Sequence, residues 1–248
     1  MDLGRRLRLL ILTGALLGGG CHPAVKPAAL LTPGRELFPL QPGTLWVYEV
    51  HDFNGQVDLR RAVVRGSFYL KSQETRGTIV EESGGNSDEL LFDVGWHPVA
   101  YYRRGEFLYR FSGLGYVGAE LREFRLGLGE EKVLPNDPLA HPEWESDFEV
   151  FHVGQGIGYG VRAISNAGVA METVTVRAGT FRDCLRVETR TVSRALPHRA
   201  EGQQVMFQYN DWYAPGVGLV KSITEAPPAS RPVNTVELIS FRPGRSPD

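Results

Sequence analysis

Two cysteines, Cys21 and Cys184, are all that this 248-residue chain contains. That excludes a disulfide-stapled scaffold, and the fold must rest on its core. No block of like charge stands out, so the chain lacks the electrostatic footprint of a nucleic-acid binder. No apolar run reaches the ~20 residues that a membrane-spanning helix needs. No strong amphipathic helix is visible, which argues against α/β folds built on parallel strands. Catalytic motifs are missing as well. No serine sits in Gly-x-Ser-x-Gly. The six histidines (His22, His51, His97, His141, His152 and His198) form no HxxxH and pair with no cysteine at zinc spacing.

What the chain does have begins at its N-terminus. Arg5, Arg6 and Arg8 precede a short apolar core that ends at Leu17. A basic start and an apolar core of roughly 7–15 residues read as a cleaved export signal. Gly18-Gly19-Gly20-Cys21 then resembles a bacterial lipobox, with Gly18 where the usual pattern has leucine. The expectation is a signal peptide over 1–20 and acylation of Cys21. Each buried CH₂ adds ~0.8 kcal/mol, so several acyl chains, palmitate among them, make a stable anchor. His22 follows the cysteine, where similar lipoproteins retained at the inner membrane carry aspartate. The resemblance therefore implies the periplasmic face of the outer membrane. Without residues 1–20 the chain carries 24 basic and 28 acidic residues, a formal charge of −4.

Residues 21–36 read as a proline-rich tether, 37–242 as one β domain, and 243–248 as a frayed tail. Within the domain, strand-length runs alternate with turn signals. Leu45–Val50 leads to Asn54-Gly55, a strong hairpin signal, and the chain returns over Val57–Arg65. Phe68–Gln73, Thr78–Glu82, Glu89–Val94, Pro98–Arg103 and Phe107–Phe111 continue the series. Ala119–Leu126 has the composition for one or two helical turns. Strands resume at Glu145–Val153 and Gly160–Ser165, and Asn166-Ala167-Gly168 reads as a turn into Val169–Val176. Ala178-Gly179 turns the chain into Phe181–Val192. Pro215-Gly216 fits a type II turn between Gln203–Tyr213 and Val217–Thr224. Val233–Phe241 closes the series. The fold class expected is all-β: a single antiparallel curved sheet or half-barrel built from hairpins, with little helix.

The segments Val174-Thr-Val-Arg-Ala-Gly-Thr-Phe181-Arg-Asp-Cys184-Leu-Arg-Val-Glu188 and Asp211-Trp-Tyr-Ala-Pro-Gly-Val-Gly-Leu-Val-Lys221, with Phe38–Tyr48, resemble a group of uncharacterised bacterial envelope lipoproteins. The match covers about 40 residues in three patches. Its members look related to the curved-sheet lipoprotein carriers of the LolA and LolB type. That resemblance implies an open antiparallel sheet; shared fold does not imply shared function.

Candidate chemistry is sparse. Gly154–Gly160 has Tyr159 where a dinucleotide fingerprint needs glycine, so its alternating glycines read as a strand face that another group approaches closely. His141 with Glu143, Glu145 and Asp147 reads as a solvated surface and not as a metal site. Glu81-Glu82 and Glu130-Glu131 are neighbours on strands and point to opposite faces. Cys184 reads as a packed or sheltered thiol. The aromatic pairs at i and i+2 are more suggestive. Trp46 with Tyr48 and Phe107 with Tyr109 each share a face, and Trp212 and Tyr213 stand before the Pro-Gly turn. These six residues are the candidate surface for a ligand or partner. The reading is a non-enzymatic envelope lipoprotein, acting as a binding or assembly module. It is held on the membrane by its N-terminal lipid and engages an apolar ligand or an envelope protein. No cofactor and no nucleic acid are expected. The alternatives are a carrier of an acyl or other apolar ligand and, further off, an envelope hydrolase.

Overall fold

The structure is a computed structural model that describes residues 36–84, 97–124, 130–152, 157–193, 205–226 and 232–245. Cys21, the export signal, the run at Glu89–Val94 and residues 153–156 of the glycine repeat lie outside the described residues. The described residues hold fourteen strands and no α-helix. In chain order these are β1 (Leu45–Asp52), β2 (Val57–Leu70), β3 (Thr75–Ser83), β4 (His97–Arg104), β5 (Phe107–Phe111), β6 (Leu114–Val117) and β7 (Glu120–Glu123). They continue with β8 (Glu130–Pro135), β9 (Glu143–His152), β10 (Ile157–Val176), β11 (Gly179–Ser193), β12 (Val205–Ala214), β13 (Gly218–Glu225) and β14 (Asn234–Arg242).

Twelve strands form one antiparallel sheet, in the order β8-β5-β4-β3-β2-β1-β14-β13-β12-β11-β10-β9. The sheet curls into a nearly closed barrel. Its two edge strands, β8 and β9, meet through side chains. Lys132 N–H donates to Ser146 Oγ at 2.9 Å, and Trp144 Nε1 donates to Lys132 O at 3.2 Å. Edge groups left bare would be open to pairing with another chain. Bulges bend the strands enough to close the curve, among them those at Val47/Tyr48, Val64/Gly66 and Trp212/Tyr213.

Alternation sets the two faces. Along Gly218–Glu225 every second residue is buried, as it is from Trp46 to Val50. The end of the barrel holding Trp46 is its floor and the end holding Asp52 its rim. The connections β1–β2, β3–β4, β9–β10, β11–β12 and β13–β14 all leave strand ends at the rim. Leu37 and Phe38 close the floor from below. Leu37 packs with Trp144 and Leu185, and the Phe38 ring lies 5.7 Å from Trp46 and 4.8 Å from Tyr101. Each large side chain buried there contributes roughly 1.5–3 kcal/mol.

The turns follow from the sequence. Gly216 takes φ +74° and Val217 N–H donates to Ala214 O at 3.1 Å, a type II turn after Pro215. Three expectations need correction. Glu120–Glu123 is strand and not helix: β6 and β7 form a hairpin whose Leu114 and Leu121 cover an outer cluster of Leu70, Ile79, Tyr102 and Phe111. Asn166–Gly168 does not turn the chain. β10 runs on, and residues 168–170 bulge out opposite Arg186. β2 likewise continues through Gly66, where the expected strands stop at Arg65 and restart at Phe68, and the chain turns at 71–74, inside the expected run Phe68–Gln73. At Gly66 and Gly168 tertiary pairing overrides the local glycine signal, and at Glu120–Glu123 it overrides the helical composition.

Candidate functional site

The barrel interior has two layers. Near the floor the inward positions are large and apolar, with Trp46, Leu185, Val220 and Leu238 almost fully buried. Toward the rim small hydroxyls join apolar groups at the inward positions, where Ala163 and Val161 are buried on β10 and Phe207 and Tyr209 face in on β12. Ser146 on β9, Ser165 on β10, Thr191 on β11, and Ser222 and Thr224 on β13 are all buried. Ser165 and Thr189 hydroxyls bond to each other at 2.9 Å, and Thr191 Oγ1 donates to Phe207 O at 3.2 Å. Small side chains facing inward fill less of a wide barrel than Trp and Leu do.

Charges lie between the layers. Arg110 on β5 stands between Tyr101 on β4 and Glu131 on β8 in the two ladders. Asp211 on β12 stands opposite Ser222, whose hydroxyl bonds to it. Protein surrounds Arg110, Glu131 and Asp211, yet each keeps part of its surface accessible. They therefore stand on the inner face without being wholly buried in it. Burial raises the Asp211 carboxyl from 3.8 to about 6, against the Ser222 bond that lowers it and with help from Glu131. Burial also raises Glu131, and the Arg110 charge opposes that shift. Burial works against the charge of Arg110, but Tyr101, Glu82 and Glu131 outweigh it and hold the guanidinium charged. Burial first, then Asp211, Tyr101 and Glu131, pushes the Tyr213 phenol well above its usual value.

Among the described residues, two inward-facing polar atoms have no hydrogen-bond partner. These are Arg110 Nε, a donor, and Asn234 Oδ1, an acceptor, the latter at the rim end of β14. Buried polar groups in folded proteins are ordinarily satisfied, so each exception calls for an explanation.

The six aromatic candidates do not form one surface. Trp46 and Tyr48 are floor residues, bonded to Val217 O at 2.6 Å and Leu219 O at 3.2 Å. Tyr213 is buried in the floor cluster with Leu37 and Trp144. Tyr109 lies on the outer side, stacked on Tyr102 at 5.6 Å with the Arg104 guanidinium 4.5 Å above it. Phe107 is half-buried between Trp144 and His141, with Lys132 Nζ 5.0 Å from its ring. Trp212 stays half-exposed on the outer face of β12. Its Nε1 donates to Glu172 at 2.7 Å, and Arg186 lies 5.7 Å from its ring. Beside it the β10 bulge leaves a shallow cleft of about 300 Å³, lined by Asn166, Gly168, Ala170, Glu172, Arg186 and Glu188. Those polar groups are largely paired with one another or with neighbours, as Arg186 is with Asn210 at 2.7 Å.

Glu145 and Asp147 alternate along the outer face of β9, where Arg162 pairs with both. Glu130 points outward to Tyr102 and Arg104, while its neighbour Glu131 points inward. Cys184 is fully buried, and burial pushes its thiol up to about 11. Such a thiol is no nucleophile at neutral pH.

Residue-level reading of the sequence missed Arg110, Glu131, Asp211 and Asn234. A signal was present in Tyr209-Asn-Asp211-Trp-Tyr213, where a carboxylate shares a strand face with two tyrosines.

No family model and no curated protein matches the chain. Solved structures do. A presumed lipoprotein from Parabacteroides distasonis ATCC 8503 superposes with a TM-score of 0.55 at 18% identity, over 83% of this chain and 98% of that one. A presumed exported protein with a YmcC-like fold from Bacteroides fragilis NCTC 9343 gives 0.41 at 13% identity, over 83% and 98%. The hypothetical lipoprotein YmcC from Escherichia coli K12 gives 0.36 at 12%, over 82% and 86%. The first of these shows that the barrel is a fold already seen in a protein described as a lipoprotein. Fold likeness at this identity carries no function with it.

Proposed function

We propose that the chain is a non-enzymatic envelope lipoprotein, anchored through Cys21, whose barrel is a binding module for a polar ligand. The observation that carries this is the enclosed layer of Arg110, Glu131 and Asp211 under a ring of inward hydroxyls. Leaving ionisable groups partly unpaired inside a fold destabilises it. An enclosed site with a few convergent polar groups is the usual form of a ligand pocket. The chain enters the barrel floor at Glu36, whose carbonyl accepts from Gly216 N–H at 2.8 Å, so the tether leaves from the end opposite the polar layer. Anchoring at that end keeps the rim clear of the membrane. The resemblance to LolA- and LolB-type carriers supplies the competing reading, an acyl-chain carrier. Against it stands the interior itself: its floor is filled by Trp46, Leu185 and Leu238, and above them charged groups and hydroxyls share the inner face.

The test is Cys21→Ser followed by cell fractionation and native mass spectrometry of the released protein. The proposal expects the variant in the soluble fraction, with a small polar adduct. A co-purified phospholipid or fatty acid would favour the carrier. Unchanged membrane association would show that the anchor is not Cys21.

A further inference from the structure

The polar layer constrains its ligand more than the word polar says. Facing it are three carboxylates, Glu82, Glu131 and Asp211, and two guanidinium groups, Arg60 and Arg110. Asp58 adds a fourth carboxylate higher on the inner face of β2, opposite Val50. Carboxylates outnumber cations, so a simple anion meets net repulsion. A simple cation would suit the carboxylates, but it would leave Arg110 Nε still without an acceptor. Among the described residues, no hydrogen bond ties Arg110 to Glu131 even though the ladder places them opposite each other. The unsatisfied atoms are complementary in kind: Arg110 needs an acceptor, and Asn234 Oδ1 needs a donor. Between them the walls offer hydroxyls, which serve either way.

We infer that the barrel interior binds a small zwitterion of the amino-acid or short-peptide class. Its carboxylate sits against Arg110 and its ammonium against Asp211 and Glu131. A carboxylate on a guanidinium forms charge-assisted hydrogen bonds, stronger than neutral ones. An ammonium brings three donors, which the two carboxylates can accept. The ligand thus neutralises both signs of charge in an enclosed space, where unpaired charges cost most. The two signs of charge are what the ligand's carboxylate and ammonium are matched to. A free amino acid and the end of a short peptide share this chemistry.

This inference rests on the proposal that the interior is the binding site, and the test separates the two. Thermal unfolding of the lipidated full-length chain in detergent is followed with five additions: a pool of natural amino acids, alanyl-alanine, inorganic phosphate, glucose and decanoate. Ligand binding to the folded state raises Tm, by roughly 2–5 °C when the ligand is about a hundredfold above its Kd. The amino-acid pool, the dipeptide or both should raise Tm, and which one does so identifies the source. The near-isosteric Asp211→Asn should reduce the shift at least tenfold in apparent affinity, and Arg110→Gln should do the same if it folds. A shift from phosphate, glucose or decanoate alone, lost in Asp211→Asn, overturns the ligand class and leaves the interior site standing. A zwitterion shift unchanged in Asp211→Asn and in a folded Arg110→Gln places binding elsewhere and overturns the inference. No shift with any addition overturns both the inference and the interior site.

Discussion

Lys132 donates its backbone N–H to the Ser146 hydroxyl at 2.9 Å, and this bond joins the two ends of the sheet. The ladder between β8 and β9 is replaced here by a side chain, and Trp144 Nε1 returns a second bond to Lys132 O. A buried donor left without its acceptor costs ~1–3 kcal/mol. Ser146→Ala should therefore lower stability by about that much in urea unfolding, and Ser146→Thr should restore most of it. Equal stability for wild type and Ser146→Ala would mean that the seam is held by packing alone.

Trp212 and Tyr213 are neighbours with opposite fates. Tyr213 is buried with Leu37 and Trp144, while Trp212 stays half-exposed beside Glu172 and Arg186. Truncating a buried aromatic typically costs ~3–5 kcal/mol. Tyr213→Ala should lose that much. Trp212→Ala should lose about 1–2 kcal/mol, the scale of one hydrogen bond and one cation–π contact. Comparable losses at both sites would show that the outer cleft is as much core as the floor.

Gly77 has no room for a side chain. A Cβ there would sit 2.9 Å from Ala100 Cβ and 3.3 Å from Leu70 Cδ1. Both neighbours belong to the outer cluster under the β6–β7 hairpin, and forcing volume into a packed cluster costs ~1–3 kcal/mol. Gly77→Val should lower Tm, whereas Gly66→Val should not do so by this mechanism, since a Cβ at Gly66 meets nothing within 4 Å. Equal effects at the two glycines would contradict this packing.

Asp211 gives the barrel a pH dependence of definite sign. The folded chain holds the proton up to about pH 6, and the unfolded chain releases it near 3.8. The folded state binds more protons in that window, so this group's contribution is greatest below 3.8 and is lost as pH rises through 6. The difference is roughly 2 kcal/mol, since each pKa unit is about 1.4 kcal/mol and solvent reaches part of the group. Wild-type stability should fall relative to Asp211→Asn between pH 4 and pH 7.5 in urea titrations. Parallel pH curves for the two proteins would refute it.

Much of this architecture was legible in the sequence. Leu45–Val50 and Val217–Thr224 alternate cleanly, and the Pro215-Gly216 turn follows from two residue types alone. Glycines misled where pairing overrode them: Gly168 sits in a bulge and Gly66 inside a long strand. The β6–β7 hairpin was hidden because its reason lies elsewhere, in the outer cluster that Leu114 and Leu121 cover. The polar layer was harder still. Arg110 looks like the ordinary wet member of an alternating strand until the register with Tyr101 and Glu131 shows which way it faces. Closure of the sheet decides which face is inside, and the hairpins do not encode it singly. The aromatic pairs drew attention for their size, yet size is what placed Trp46 and Tyr48 in the floor.

The most direct measurement is a carboxyl-¹³C NMR titration of Asp211 in the soluble Cys21→Ser protein, with Asp211→Asn assigning the resonance. The account predicts a midpoint near 6, because protein encloses the carboxyl on the inner face of β12. It also predicts that the midpoint moves down when a zwitterion brings an ammonium against it. A midpoint at the ordinary value of 3.8 would put Asp211 in open water and contradict the enclosed polar interior.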